Sequence, residues 1–225
     1  MRIAFLHTID GNRQVFEHAA TELGVASDDL RHTVRVDLRE AIERAGTFTP
    51  ELKQQTRACL LELAADADAV VVTCATLGPV VAEITHSPVP VIRADAALAA
   101  SAAGSAGNGG KIVVLCAAEA ALESNRKLFA AHASEARASV EIVHVPQVWA
   151  TFRSGETDAC YAAIAAATSD AYAKGATVVA FAHPWMAPAA ALASAPSEGK
   201  RPLDSARAAL RVAMQRVNRE PVHIR

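Results

Sequence analysis

A cysteine and a histidine end two strand-like segments that resemble copies of one another. The run 68–79 reads DAVVVTCATLGP and the run 177–188 reads TVVAFAHPWMAP. Aligning their last prolines places Cys74 over His183. A thiol and an imidazole can each take up or release a proton near neutral pH. One such group from each half of a doubled chain predicts proton transfer on two faces of one carbon.

The same alignment extends to an earlier pair of segments. It places 3–7, which reads IAFLH, over 112–116, which reads IVVLC, so that His7 matches Cys116. We therefore expect an internally doubled α/β chain with a cleft between its two halves. Cys74 and His183 are the expected reactive groups, one on each side of that cleft.

The chemistry expected of Cys74 depends on its position before a predicted helix. Unpaired amides and the positive end of a helix dipole stabilise a thiolate, and with the Thr76 hydroxyl they can also hold a carboxylate. His183 can act as acid or base because an unperturbed imidazole titrates near pH 6.5. The alternatives are an inert buried cysteine and a histidine satisfied by a backbone carbonyl.

Composition excludes several classes of protein. The chain has 225 residues, of which 52% are hydrophobic and 20% charged, so it is globular and large enough for two lobes. Its 22 basic and 24 acidic residues give no charge that would attract nucleic acid or a membrane surface. No apolar run is long enough to span a membrane, and four scattered cysteines indicate neither a disulfide framework nor a zinc ribbon. We expect a cytoplasmic protein.

Short β-rich runs alternate with alanine-rich helical runs, a pattern typical of mostly parallel sheets covered by helices. Strands are predicted near 2–8, 31–37, 69–73, 89–93, 111–116, 139–145, 177–182 and 201–203. Helices are predicted near 11–24, 49–66, 78–85, 95–103, 119–136, 156–174, 186–194 and 204–218. Thr49 is the predicted cap of the second helix, and Asp204 that of the last.

The glycine-rich stretch 104–110 is the predicted boundary between the lobes. It follows a helix and precedes a strand, which is the wrong context for a phosphate-binding loop. The first lobe is predicted to comprise 1–103, completed by the C-terminal helix 204–225, and the second lobe 104–203. The apolar helix 156–174 is suited to pairing subunits in a homo-oligomer.

Ligands of parallel sheets bind outside the carboxyl ends of the strands. That edge is expected to collect His7, Thr8, Cys74 with the residues after it, Arg93, Cys116 and His183. Two cysteines and two histidines at neighbouring strand ends could also bind zinc, although none shares a short ligand spacing with another. His32 alternates with valines on a strand and is given no role.

These segments together resemble the aspartate/glutamate/hydantoin racemase superfamily over nearly the whole chain. Members have a hydrophobic strand ending in Cys-Asn-Thr, which here reads TCAT at 73–76, and a second strand ending in Gly-Cys, which here reads AH at 182–183. The family's pattern Pro-X-X-Asp-Ser before the final helix resembles RPLDS at 201–205, and HTIDGN at 7–12 lies where members place substrate-contacting polar residues.

The resemblance implies a cofactor-free and metal-free isomerase with two similar α/β lobes that acts on a small carboxylate-bearing substrate, such as an amino acid or dicarboxylic acid. Two groups facing the stereocentre would remove and return a proton, here Cys74 and His183. The implied substrate-binding residues are His7, Thr8, Asn12, Thr73, Ala75, Thr76, Arg93, Cys116, Ala117 and Pro184.

Three positions depart from the family pattern. His183 replaces the second cysteine, Ala75 replaces the usual asparagine, and Ala117 lies where a threonine is common. These changes favour a substrate other than aspartate or glutamate, and they leave a cofactor-free decarboxylase, a non-catalytic carboxylate-binding protein and a zinc hydrolase as alternatives.

Overall fold

The computed structural model describes residues 1–193 and 200–219, and it contains two four-stranded parallel sheets. The first sheet is built from β1 (Ile3–His7), β2 (Leu30–Val34), β3 (Ala69–Val72) and β4 (Val91–Arg93), in the order β2-β1-β3-β4. The second is built from β5 (Lys111–Cys116), β6 (Ser139–His144), β7 (Val178–Phe181) and β8 (Leu203–Asp204), in the order β6-β5-β7-β8.

The register of the central strands repeats between the sheets. Ile3 is paired with Ala69 in the first sheet, and Ile112 is paired with Val178 in the second. A single shift along the chain therefore superposes both pairs, as the sequence alignment requires. The predicted fold class, two similar α/β lobes with parallel sheets flanked by helices, is confirmed.

Both faces of the central strands β1 and β3 are buried, which explains why these two strands read as nearly continuous apolar runs. Leu6 and Val72 lie in one hydrophobic cluster with Leu60 from the helix that precedes β3. On the opposite face, the Phe5 ring packs 5.1 Å from the Phe16 ring. Burial of each large apolar side chain stabilises the fold by roughly 1.5–3 kcal/mol.

Eight α-helices are described. They are α1 (Asn12–Glu22), α2 (Val36–Ala45), α3 (Pro50–Ala65), α4 (Ala94–Ala106), α5 (Leu122–Ala133), α6 (Val148–Arg153), α7 (Thr157–Ala173) and α8 (Ser205–Arg219). Short 3₁₀ helices cover Ser27–Asp29, Gly78–Glu83, Glu119–Ala121 and Pro184–Ala191. Thr49 caps α3 as predicted, because its side chain accepts a hydrogen bond from the Leu52 amide at 3.3 Å. No helix of the described part is long and apolar enough to cross a membrane.

Two helices were not predicted. The second strand was predicted to run to residue 37, but β2 ends at Val34 and α2 begins at Val36. Leu38 and Ile42 are buried at helical spacing, and Gly46 ends the helix with a left-handed φ of 69°. The second omission, α6, is only six residues long.

Two segments predicted as α-helices form 3₁₀ helices instead. The segment predicted as 78–85 has a proline in its first turn, and the segment predicted as 186–194 contains Pro188 in its interior. Pro188 cannot donate the amide hydrogen bond that the interior of an α-helix needs, so the tighter helix is favoured there, whereas a proline in the first turn is compatible with an α-helix, as at the start of α3. Residue 194 of the second prediction and residues 220–225 of the predicted C-terminal helix lie outside the described residues.

Internal contacts group the chain into two compact units. One comprises Met1–Ala97 and the described residues from Ala206 onward, and the other comprises Leu98–Ser205. Along the chain, the change from the first unit to the second falls within α4. The boundaries predicted from the sequence, at 103/104 and 203/204, stay predictions.

Candidate active-site residues at the sheet edges

Cys74 follows β3 at the carboxyl edge of the first sheet. It is the only partly exposed cysteine, because Cys59, Cys116 and Cys160 are all buried. The side chain packs against the hydrophobic core beneath the strand ends. A thiol in this position is anchored on one side and open to small molecules on the other.

The backbone after Cys74 differs from the prediction. The sequence placed a helix start directly after the thiol, whereas a three-residue turn separates Cys74 from the 3₁₀ helix that begins at Gly78. The Cys74 carbonyl accepts hydrogen bonds from the Leu77 and Gly78 amides at 3.2 and 3.0 Å. Ala75 and Thr76 are exposed residues, and their amides have no hydrogen-bond partner among the described residues. Two free turn amides, rather than a helix dipole, are therefore the donors beside the thiol.

Two predicted substrate-binding residues lie just after β1. Thr8 and Asn12 are only 1% and 2% exposed. The Asn12 side-chain oxygen is buried and accepts no hydrogen bond within the described part of the protein. Buried polar atoms are nearly always satisfied by protein, water or a ligand. The predicted contact of Asn12 to a bound molecule stays a prediction, because the side chain is almost fully buried.

His7 occupies the end of β1 but presents no surface to a ligand. It is fully buried, with Nδ1 3.0 Å from the Thr73 hydroxyl and Nε2 2.9 Å from Nδ1 of His32. Burial, followed by the neighbouring His32 and Arg13, lowers the pKa of His7 from 6.5 to about 3. Thr73 is also buried, and its hydroxyl lies 3.1 Å from the Leu6 carbonyl, to which it donates. Both residues support the strand ends from within the core.

His32 received no role from the sequence, yet it completes this buried network. Its side chain is 4% exposed and stacks on the Phe5 ring at 4.8 Å. A signal was available, because the β1–β2 register pairs His32 with Phe5, directly beside the strand end. Predicting the contact required that register in addition to the strand positions.

Arg93 ends β4 and already has an anionic partner in the same lobe. Its guanidinium forms a bidentate pair with Asp95, at 3.1 and 2.7 Å. It also lies against Gly78, where an added Cβ would stand 2.8 Å from Nε. A substrate carboxylate would have to share this guanidinium with Asp95.

Cys116 and His183 are brought together at the carboxyl edge of the second sheet. The Cys116 sulfur lies 3.5 Å from His183 Nε2 and 3.3 Å from the Ala118 carbonyl oxygen. Burial raises the pKa of the fully buried Cys116 thiol, so the sulfur is protonated at neutral pH. His183 keeps partial solvent access, but surrounding protein lowers its pKa from 6.5 to about 4. The imidazole is neutral at pH 7.

An aromatic cluster that was not predicted from the sequence lies beside His183. The His183 ring stacks on Trp185 with a centroid distance of 5.7 Å and an interplanar angle of 13°. The other side of the cluster is formed by Phe152 and Trp149, whose rings lie 4.3 and 5.7 Å from Trp185. The two α6 residues could not be assigned because α6 itself was not predicted.

The remaining predicted positions in the second lobe contribute backbone and apolar surface. Ala117 is 4% exposed directly after β5, and Pro184 is buried at the start of a 3₁₀ helix. Nowhere in the described ranges do three potential metal-binding side chains gather. A cavity of about 710 Å³ in the first lobe lies between β2 and α3, and no predicted site residue lines it.

Comparisons with known proteins identify the fold. No protein-family model matches the chain, and no curated protein does. Among solved structures, it is similar to the aspartate racemase of Picrophilus torridus, with 12% identity and a TM-score of 0.69 over 96% of this chain and 94% of that one. It is also similar to a glutamate racemase from Bacillus anthracis, with 16% identity and a TM-score of 0.57 over 95% of this chain and 81% of that one. A third similar structure is the allantoin racemase of Pseudomonas fluorescens, with 17% identity and a TM-score of 0.54 over 97% of this chain and 91% of that one. The chain therefore shares the fold of these racemases.

Proposed function

We propose that this protein is a cofactor-independent isomerase of the racemase type. It moves a proton at the carbon next to a carboxylate in a small amino-acid-like or dicarboxylic substrate. Cys74 and His183 are its two acid/base groups. The shared fold supports the general class, because its solved relatives include aspartate, glutamate and allantoin racemases.

The observation that carries this proposal is the setting of Cys74. It is the one partly exposed thiol, and it directly precedes the free amides of Ala75 and Thr76. Removal of a proton next to a carboxylate places negative charge on the carboxylate oxygens. Amides that need no reorganisation stabilise such charge, and one donor of this kind commonly contributes about 3–4 kcal/mol.

His183 serves the opposite role to the thiol in each turnover. As a neutral imidazole it accepts the substrate's α-proton and becomes imidazolium, while the Cys74 thiol donates its proton to the other face of the carbanion and becomes a thiolate. Exchange with solvent restores both groups. Because the two groups differ in chemistry, the two directions of the reaction use different bases.

Two polar residues that follow β1 are included in the proposed carboxylate site. Thr8 and Asn12 are almost fully buried, and the Asn12 oxygen, which has no hydrogen-bond partner among the described residues, is the atom proposed to accept from an ammonium, amide or hydroxyl donor of the substrate. The replacement of the family's asparagine by Ala75 removes one polar contact. This change supports a substrate with a less polar side chain than aspartate or glutamate.

The test is deuterium wash-in at the α-carbon, followed by proton NMR in deuterated water. The wild-type protein is incubated with aspartate, glutamate, 5-substituted hydantoins and substituted malonates. We expect exchange with at least one class, and Cys74→Ala is expected to reduce it by about 10²-fold or more, as for loss of a general acid/base. Cys59→Ser, which alters a buried thiol of the same lobe, should retain the wild-type rate. Wild-type exchange in Cys74→Ala would overturn the proposal.

The unlike pair also supports a second candidate, a cofactor-free decarboxylase. A malonate that loses carbon dioxide leaves a carbanion that needs one proton from one side, and the Cys74 thiol alone can supply it. In that case substituted malonates release carbon dioxide, and His183→Gln retains most of the activity. Binding of these acids in calorimetry without exchange or gas release would indicate a non-catalytic binding protein instead.

A further inference from the structure

The Cys116–His183 contact contains few protons, so the possible arrangements of those protons can be enumerated. The thiol carries one proton, because burial keeps Cys116 in its neutral form. The neutral imidazole carries one proton, on either Nδ1 or Nε2. Two arrangements are compatible with the 3.5 Å distance between Sγ and Nε2. Either the thiol donates to Nε2, or Nε2–H donates to the sulfur.

A second neighbour distinguishes these arrangements. The sulfur lies 3.3 Å from the Ala118 carbonyl oxygen, which can only accept. If the thiol proton goes to that oxygen, the sulfur is left to accept from Nε2–H, and both contacts become hydrogen bonds. If the thiol proton goes to Nε2, the sulfur and the Ala118 carbonyl oxygen form no hydrogen bond. Asn125 Nδ2 lies 3.9 Å from the sulfur and is also a donor, which agrees with the sulfur as acceptor.

The plane of the ring is fixed separately from its proton. Trp185 is 2% exposed and stacks nearly parallel to the imidazole, and Phe152 stacks in turn on Trp185. With the ring plane held by Trp185 and Nε2 directed at Cys116, Nδ1 is the nitrogen that remains. None of the described residues forms a hydrogen bond to Nδ1.

We infer that Cys116 is a positioning residue that holds His183 in its Nε2–H tautomer and thereby makes Nδ1 the atom that accepts the substrate proton. The inference rests on the proposed function for its consequence in turnover. Its structural part, the tautomer, does not depend on any activity. Cys116 was expected from the sequence to contact substrate, and in this role it acts only through His183.

The test is nitrogen-15 NMR of the histidine rings in the free protein at pH 7, with His183 assigned by His183→Gln. Wild type should show His183 protonated at Nε2, with Nδ1 as the unprotonated nitrogen. Cys116→Ala removes the acceptor, so the Nε2 proton should exchange faster with water and the Nε2 resonance should shift. Cys116→Ser keeps an acceptor and should retain the slow exchange.

Cys160→Ser is the matched control. Cys160 is a fully buried thiol of the same lobe that donates to the Val148 carbonyl at 3.4 Å, so its replacement should leave the His183 signals unchanged. In turnover, Cys116→Ala should lower kcat and leave KM nearly constant, because Cys116 does not touch substrate.

Two results would overturn the inference. One is a wild-type His183 protonated at Nδ1, and the other is an Nε2–H signal whose shift and exchange are the same in wild type and Cys116→Ala. Failure of the proposed function has a different signature, since a protein without α-proton exchange could still show the Nε2–H tautomer held by Cys116.

Discussion

His7 Nε2 lies 2.9 Å from His32 Nδ1, and the surrounding hydrogen bonds permit one arrangement of protons. The Thr73 hydroxyl donates to the Leu6 carbonyl, so its oxygen accepts from His7 Nδ1–H. His7 Nε2 is then bare and accepts from His32 Nδ1–H. The remaining His32 nitrogen, Nε2, is buried without a hydrogen-bond partner in the described structure, 3.8 Å from a Glu17 carboxylate oxygen.

This network and His183 make the folded protein sensitive to acid. The pKa of His7 is lowered to about 3 and that of His183 to about 4, from 6.5 in the unfolded chain. Between pH 6.5 and 4 the unfolded chain therefore binds protons that the folded protein does not, so stability falls as pH falls. Each histidine contributes a slope of up to about 1.4 kcal/mol per pH unit. The free energy of unfolding of wild type, measured with urea from pH 8 to 4.5, gives the summed dependence of stability on pH.

Variants separate these histidines from other titrating groups. His183→Gln should reduce the dependence on pH, whereas His132→Gln, at an exposed position on α5, should leave it unchanged. An identical slope in His183→Gln and wild type would contradict the assignment to buried neutral imidazole.

Thr73→Val should destabilise the first lobe even though valine has nearly the same shape as threonine. The substitution leaves His7 Nδ1–H without an acceptor in a fully buried site, at a cost of about 1–3 kcal/mol. Chemical denaturation at pH 7 provides the measurement. Thr73→Ser keeps the hydroxyl and should stay closer to wild type. Equal stability of the valine variant and wild type would mean that the His7–Thr73 contact is not a hydrogen bond.

The sequence predicted the sheets well because its two halves carry the same information. Each central strand was recognised twice, once as an apolar run and once as the counterpart of another run, as the matching pairs Ile3–Ala69 and Ile112–Val178 illustrate. The same shift places α2 of the first half over the short α6 of the second, and neither helix was predicted; Gln147 gives α6 no side-chain cap.

The side-chain contacts at the strand ends could not be predicted from the sequence. His7 and Cys116 were correctly placed at matched strand ends, but their partners depend on register and rotamer. His7 turns to Thr73 and His32, whereas Cys116 turns to His183 and Ala118. Neither choice leaves a trace in spacing, because the partners are more than twenty positions away in three of the four cases. The proximity of Cys74 and His183 to a common substrate stays a prediction.

Cys74 should be the first thiol to react in the native protein. It is partly exposed, whereas the other three cysteines are buried, so iodoacetamide at neutral pH should modify Cys74 first. Mass spectrometry of proteolytic fragments locates the label, and modification of all four cysteines should require denaturant. Cys74→Ser should remove the fast phase, and Cys59→Ser should keep it. Rapid labelling of Cys116 or Cys160 in the native protein would contradict the described burial.

Trp185 fluorescence should report the protonation of His183. The two rings are stacked at 5.7 Å, and an imidazolium beside an indole quenches its emission, whereas a neutral imidazole does so weakly. Because burial lowers the pKa of His183 to about 4, emission should fall only as the pH drops towards that value. Trp149→Phe removes the only other tryptophan and isolates the signal. In Trp149→Phe with His183→Gln the transition should vanish, and quenching centred near pH 6.5 in the single variant would show that the imidazole is not shielded by the protein.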